Sequence, residues 1–171
     1  MRIHLWAAVF FSVLLSACSV TTGNKGAEFN QQARWGLLPV VNFSQAPQAG
    51  ERTEKILQSV LSQRGIQVYM YPYQQNSSMP LLDDQKRLDT AWEWARQQGF
   101  DYVITGSIEE WQYKNGLDGE PAVGISLQVV DPATGQTLWS HSGARSGWSR
   151  ESLAGSAQKV LNKLINQLRL Q

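Results

Sequence analysis

The chain has 171 residues, with 15 Lys and Arg against 14 Asp and Glu and a formal net charge of +1. That length suits one domain with its own core, and the near balance of charge gives no support for nucleic-acid binding, which requires a basic face. One Cys and two His leave few ligands or nucleophiles for metal, thiol or triad chemistry.

Arg2 and His4 precede an apolar run, Leu5 to Leu15, and then Leu15-Ser-Ala-Cys18. The run is shorter than the ~20 residues of a spanning helix, and the small residues that follow it give the layout of a secretory signal. Residues 15–18 match the lipobox of bacterial lipoproteins at every position, and the sole Cys sits where the modification requires it. Residues 1–17 are therefore expected to be a signal peptide and Cys18 the lipidated first residue of the mature chain. One acyl chain holds a membrane only marginally, whereas several hold it essentially permanently. Ser19 rather than Asp after the Cys favours the outer membrane in Gram-negative sorting. Removing residues 1–17 takes away one Arg and no acid, so the mature chain carries 14 basic and 14 acidic residues.

Ser19 to Gln32 mixes Ser, Thr, Gly, Asn and Gln, which predicts a flexible tether over residues 18–33 ahead of an α/β domain at 34–171. Trp35 to Val41 reads as a buried first strand with Pro39 at a bulge or edge. Asn42 to Gly50 is a loop. From Glu51 to Arg64, Ile56, Leu57, Val60 and Leu61 fall at helical spacing, with acids in the first turn and Gly65 as the stop. Ile66 to Tyr71 alternates as a second strand, so strand, helix and strand imply a parallel right-handed crossover. Pro72 to Leu82 is a polar loop. Asp83 or Asp84 then caps a helix to Gln98, with Leu88, Ala91, Trp92 and Ala95 inward and Gly99 ending it.

The stretch from Tyr102 to Ser142 predicts a three-stranded antiparallel meander: Tyr102 to Tyr113, Ala122 to Asp131 and Thr137 to Ser142. In the second strand Val123, Ile125, Leu127 and Val129 share one face, while Gly124, Ser126 and Gln128 share the other. Asp131-Pro-Ala-Thr-Gly135 closes the second turn, Pro presetting φ and Gly taking the positive φ. Ser149 is the expected cap of a last helix, whose Leu153, Ala157, Val160, Leu161, Leu164, Ile165 and Leu168 recur at three and four. The order β-α-β-α-β-β-β-α gives a single α/β domain with a mixed five-stranded sheet covered by helices.

Two loops carry the candidate site residues. Lys114 to Pro121 is acidic at its tip, where Asp118 and Glu120 flank Gly119; ordinary turn chemistry would account for them equally well. Gly143 to Trp148 puts two Gly, an Arg and a bulky aromatic ahead of the last helix. Trp148 suits a membrane headgroup zone or a fold back over the core. Trp92, Trp94, Trp111 and Trp139 have the spacing of core or interface residues. Glu109 and Glu110 are neighbours on a strand and should point to opposite faces, so they form no paired-carboxylate site. The same alternation separates His141 from Ser140 and Ser142. Gly143 to Gly147 lacks the Gly-Lys-Ser/Thr ending of a phosphate loop. No catalytic constellation, metal site or cofactor site is expected.

A tether followed by a small α/β domain with Val130-Asp-Pro-Ala-Thr-Gly135 and Leu138-Trp-Ser140 looks like the N-terminal domain of TolB and the lipoproteins built on it. Gly116-Leu-Asp-Gly-Glu-Pro-Ala-Val-Gly124, Leu127-Gln-Val-Val-Asp131 and Ser142-Gly-Ala-Arg-Ser-Gly-Trp-Ser-Arg-Glu-Ser152 narrow the likeness. Together they resemble the PelC family, outer-membrane lipoproteins of Pel exopolysaccharide export. That resemblance implies a TolB-like fold and a homo-oligomeric ring, a dodecamer, at the periplasmic face of the outer membrane. It also implies an acidic inner surface that guides the cationic polymer to the PelB porin. Asp118, with Glu120, then takes the guiding role and Trp148 the contact with membrane lipid; Arg145 and Arg150 match the motif without an assigned role. The rival is a monomeric outer-membrane lipoprotein that reaches across the periplasm to regulate a cell-wall synthase through the same fold. The short stretch from Ser19 to Ala33 favours the ring.

Overall fold

The computed structural model describes residues 19–23, 26–72, 83–115, 119–148 and 150–171. Among them the chain runs β1 (Ser19–Gly23), β2 (Glu28–Phe29), β3 (Trp35–Asn42), α1 (Ala49–Gln63), β4 (Val68–Met70), α2 (Asp83–Gln98), β5 (Tyr102–Tyr113), β6 (Pro121–Val130), β7 (Thr137–Ser146), α3 (Leu153–Ile165) and β8 (Arg169–Leu170). Six strands form one mixed sheet in the order β1-β7-β6-β5-β3-β4, and β2 pairs with β8 separately. β3 is parallel to both β4 and β5, as the crossover predicts, and β5, β6 and β7 make the expected antiparallel meander. None of the described helices is long and apolar enough to cross a membrane.

The alternation in β6 decides which face is packed. Val123, Ile125, Leu127 and Val129 are all buried and meet α1 through Leu57, Val60 and Leu61 and α3 through Ala157, Val160, Leu161, Leu164 and Ile165. Each such side chain contributes roughly 1.5–3 kcal/mol by leaving water. Trp139 and Trp111 lie in this core as expected. Among the described residues the opposite face is covered by α2, where Ala91 and Ala95 pack with Leu38, Val103, Val130 and Phe100, and Trp92 and Trp94 lie half-buried against them. α2 packs against β3, so Ser126, Gln128, Ser140 and Ser142 on β6 and β7 are left partly or fully open to solvent.

Pro39 interrupts β3 as the sequence predicts, with a register shift between Leu37 and Val40. The interruption leaves backbone groups to satisfy, because a buried unpaired N–H or C=O is costly. Val40 N donates to Glu54 Oε1 at 2.9 Å, and Thr105 Oγ1 donates to the Pro39 carbonyl at 2.6 Å. Arg87 on α2 then closes a two-pronged pair with Glu54 on α1, at 3.0 and 2.8 Å. One carboxylate thus ties the strand and the helices of both layers.

The N-terminal stretch departs from the expected tether. Ser19–Gly23 is an edge strand antiparallel to β7, and Phe29, fully buried, packs on Trp35 and Tyr102 with ring centroids 5.7 and 5.2 Å apart. β2 is also clipped to the C-terminal β8, where Arg169 and Glu28 pair at 3.0 Å. The sheet therefore has six strands, not five, and Ser19–Gly23 and Phe29 already belong to the fold ahead of residue 34. An edge strand is held by its backbone and needs no apolar stripe. A lone Phe in a polar run gives no period to read.

Helix ends shift for local reasons. α1 begins at Ala49, two residues early, with Gln48 at φ 60°, and Gly65 at φ 75° follows its end as expected. Ser152, not Ser149, caps α3 by accepting from Gly155 N at 3.0 Å, and Leu168 lies beyond the helix although buried. The side chains of Asp83 and Asp84, and the loop 73–82, lie outside the described residues. Glu54→Ala should lower stability by about 3 kcal/mol, since it removes the buried carboxylate that accepts from Arg87 and from the Val40 N–H. Glu93→Ala on the exposed side of α2 should stay within about 0.5 kcal/mol. Urea denaturation of both variants checks the contrast.

Candidate functional site

Strand register gathers the candidate residues at one end of the sheet. Ser19 lies opposite Arg145, Ser146 opposite Ala122, and Tyr113 opposite Pro121. The start of β1, the β5–β6 connection and the segment after β7 therefore meet there. Lys114 Nζ donates to Ser146 Oγ at 2.6 Å and its N–H to the Glu120 carbonyl at 2.8 Å, while Lys163 Nζ donates to Ser19 Oγ at 3.2 Å. Glu120 is exposed in this group. Cys18 and Asp118 lie outside the described residues.

Trp148 is 53% exposed, with Tyr113 exposed at the same end, so the alternative of an indole folded over the core does not hold. The predicted loop Gly143 to Trp148 is mostly strand, because β7 runs on to Ser146 and only then releases the chain. Glu151 organises the turn between β7 and α3. Its carboxylate accepts from Arg145 Nη2 at 3.0 Å, from Lys159 Nζ, and from the Trp148 N–H at 3.3 Å. Trp148 O accepts in turn from Glu151 N at 2.8 Å. Gly147 is buried beneath this turn; a Cβ there would collide with Glu151 Oε2 and Ser156 Oγ. Arg145 thereby gains a role that its sequence position did not give: it anchors the turn that presents Trp148.

The Lys159 ammonium, with Arg145 and the Trp148 N–H, pulls the Glu151 carboxyl down from the ordinary 4.5 to about 2, against the opposing effect of burial. A folded-state value below the unfolded one stabilises the fold above the unfolded value, and that stabilisation is lost as pH falls through about 2.

The expected alternation fails at one place and holds at another. Glu109 and Glu110 do not face apart, because β5 carries a bulge between Ile108 and Glu110; their Cβ atoms both lie within 4 Å of where a Gly124 Cβ would stand, at 3.7 and 3.4 Å. A bulge sets two residues against one and breaks the alternation. His141 does face away from Ser140 and Ser142, stacking on Trp139 with ring centroids 4.8 Å apart.

No family model and no curated protein matches the chain. Solved structures do. The PelC dodecamer from Paraburkholderia phytofirmans is 30% identical, with a TM-score of 0.75 over 90% of this chain and 100% of that one. This chain belongs to the PelC family. A point variant of the same dodecamer gives a TM-score of 0.74. The lipoprotein GNA1162 from Neisseria meningitidis shares the fold, at 19% identity and a TM-score of 0.56 over 79% of this chain and 96% of that one. In this PelC family member one end of the sheet brings together Ser19, Glu120 and Trp148, three residues far apart in sequence.

Glu151→Gln should destabilise the fold by about 1–3 kcal/mol near pH 7, and the difference from wild type should shrink toward zero near pH 2. Denaturation midpoints at the two pH values test this.

Proposed function

We propose that the chain is a non-enzymatic, lipid-anchored subunit of a homo-oligomeric ring. The ring stands on the periplasmic face of the outer membrane and guides a cationic exopolysaccharide to its porin, PelB, for export and biofilm formation. The observation that carries this reading is the match to a PelC dodecamer along nearly the whole chain. In this reading residues 1–17 are cleaved as a signal peptide and Cys18 is acylated. Ser19, bound into the sheet beside Arg145, then leaves almost no slack between lipid and domain. That favours a body pressed to the membrane over the rival, a monomer reaching across the periplasm to a cell-wall synthase.

The end bearing Ser19 also bears Trp148, whose indole has an apolar body and a polar N–H, the combination that suits headgroups. Lys114, Lys163 and Arg150 are exposed nearby and suit anionic lipid. Trp148→Ala should weaken partition onto anionic vesicles with the fold intact, read by sedimentation with vesicles and by circular dichroism. Light scattering of the detergent-solubilised lipoprotein should report a mass many times that of one chain; a monomer at every concentration would refute the ring.

Guidance falls to carboxylates. One exposed carboxylate exerts a weak field, but copies repeated around a pore with low-dielectric walls sum to an attractive potential for a cationic chain. Asp118 and Glu120 supply that charge in this reading, and weak repeated attraction lets a polymer move on. Asp118→Asn should reduce secreted polymer without altering oligomer or lipidation, and Asp118→Lys should reduce it further. Equal secretion from all three proteins at matched levels would leave Asp118 as an ordinary turn residue.

A further inference from the structure

The edge of the sheet farthest from β1 carries an aromatic row that the export reading does not use. Tyr69 on β4 and Tyr71 just beyond it are two residues apart and share a face. Tyr69, 57% exposed, stacks on Phe100 with ring centroids 5.7 Å apart; Phe100 meets Trp94 at 5.1 Å, and Trp94 meets Tyr71 edge-on at 5.4 Å. Arg34 lies over Tyr69 and Phe100 at 5.8 and 5.5 Å, held there by the Gln98 carbonyl at 2.8 Å. The row runs continuously along the edge.

At its Tyr71 end the row opens into a cleft of about 250 Å³, walled by Tyr71, Pro72, Thr90, Glu93, Trp94 and Gln97. Residues 90, 93, 94 and 97 fall at i, i+3, i+4 and i+7, so one ridge of α2 supplies a hydroxyl, a carboxylate, an indole and an amide to the same wall. Thr90 Oγ1 donates to the Lys86 carbonyl at 2.9 Å and keeps its lone pairs as acceptors. Glu93 Oε1 accepts from Arg96 at 2.5 Å, whereas Oε2 takes part in no hydrogen bond among the described residues.

The chemistry of this wall selects a class of ligand. Apolar ring surface beside acceptors and an amide matches a pyranose, which has an apolar C–H face and a polar rim. The cleft is below the roughly 300 Å³ at which pockets for drug-sized ligands begin, so it fits one sugar ring. The Glu93 carboxylate beside the Trp94 and Tyr71 rings, its exposed pair with Arg96 weakened by solvent, can accept a charge-assisted hydrogen bond from a sugar bearing an ammonium group, with cation–π attraction to the rings. We propose that the cleft between α2 and the end of β4 is a subsite for one hexosamine unit of a polysaccharide, with Trp94 and Tyr71 as the platform and Glu93 reading the amine. The proposal rests on the export reading only for the presence of a polysaccharide; the wall chemistry stands apart from it.

The test uses the full-length lipoprotein in detergent, titrated by calorimetry with a glucosamine pentamer, its N-acetylated counterpart and cellopentaose. The glucosamine pentamer should bind best. Glu93→Gln should weaken it about fivefold or more and leave cellopentaose nearly unchanged. Trp94→Ala should weaken all three; because Trp94 also packs on Phe100, Gln97→Ala on the exposed ridge serves as the second variant and should weaken binding without a change in stability. Absence of saturable binding, equal affinity for the glucosamine pentamer and cellopentaose, or affinities untouched by Glu93→Gln and Gln97→Ala would overturn the subsite. Ring mass and polymer secretion are measured on the same proteins. Failure of binding with ring and secretion intact overturns the subsite alone, and a monomeric wild type overturns the export reading while leaving the titrations to stand.

Discussion

The architecture depends on how the break in β3 is satisfied. Pro39 has no N–H, and the register shift frees the Val40 N–H and the Pro39 carbonyl inside the protein. Glu54 takes the first and Thr105 the second. A buried carboxylate is itself costly unless paired, and the guanidinium of Arg87 supplies the partner from the other layer. The net worth of such a pair against an apolar substitute is small. Its consequence is geometric: α1 and α2, on opposite faces, are fixed relative to one strand and to each other.

Coverage of the two faces is unequal, and the surface chemistry follows from that. Among the described residues two helices seal one side over an apolar stripe from each central strand, whereas α2 seals only the β3 side of the other. Over β6 and β7 the sequence accordingly places Ser126, Gln128, Ser140 and Ser142, with Ser126 and Ser142 bonded across the strands at 2.9 Å. The bulge in β5 adds Glu109 and Glu110 to the same open face. Where α2 ends against the sheet edge, the aromatic residues too large for the thin second core spill outward as the row from Tyr69 to Tyr71.

The opposite edge has a different logic. β1 closes onto β7, and the antiparallel register carries Ser19 to the end of the sheet where β7 releases Trp148. The Glu151 cluster holds that release in one shape, since Arg145 comes from the strand, Lys159 from α3 and the Trp148 N–H from the turn between them. A bulky indole is thereby kept outward by a polar clamp beneath it.

Much of this was legible in the sequence. Period two in β6, period three and four in α1 and α3, and Gly65 and Gly99 as stops are local signals, and each element follows from them, α3 shorter by about a turn at either end. Pro39 also announced its bulge, because a missing N–H acts wherever the residue sits. The family likeness was carried by turn and loop residues such as Asp131 to Gly135. What the sequence left open depends on partners distant along the chain. β1 is held by the backbone of β7, and Phe29 by Trp35 and Tyr102, so neither leaves a periodic trace in its own neighbourhood. The shared face of Glu109 and Glu110 arises from a bulge that no residue type there demands. Trp148 could point either way until Arg145, Lys159 and Glu151, from three different elements, closed beneath it. Local patterning sets which elements form, because backbone geometry and side-chain period act over a few residues. Which residues meet at an edge or an end is decided by register and packing, which act across the whole chain.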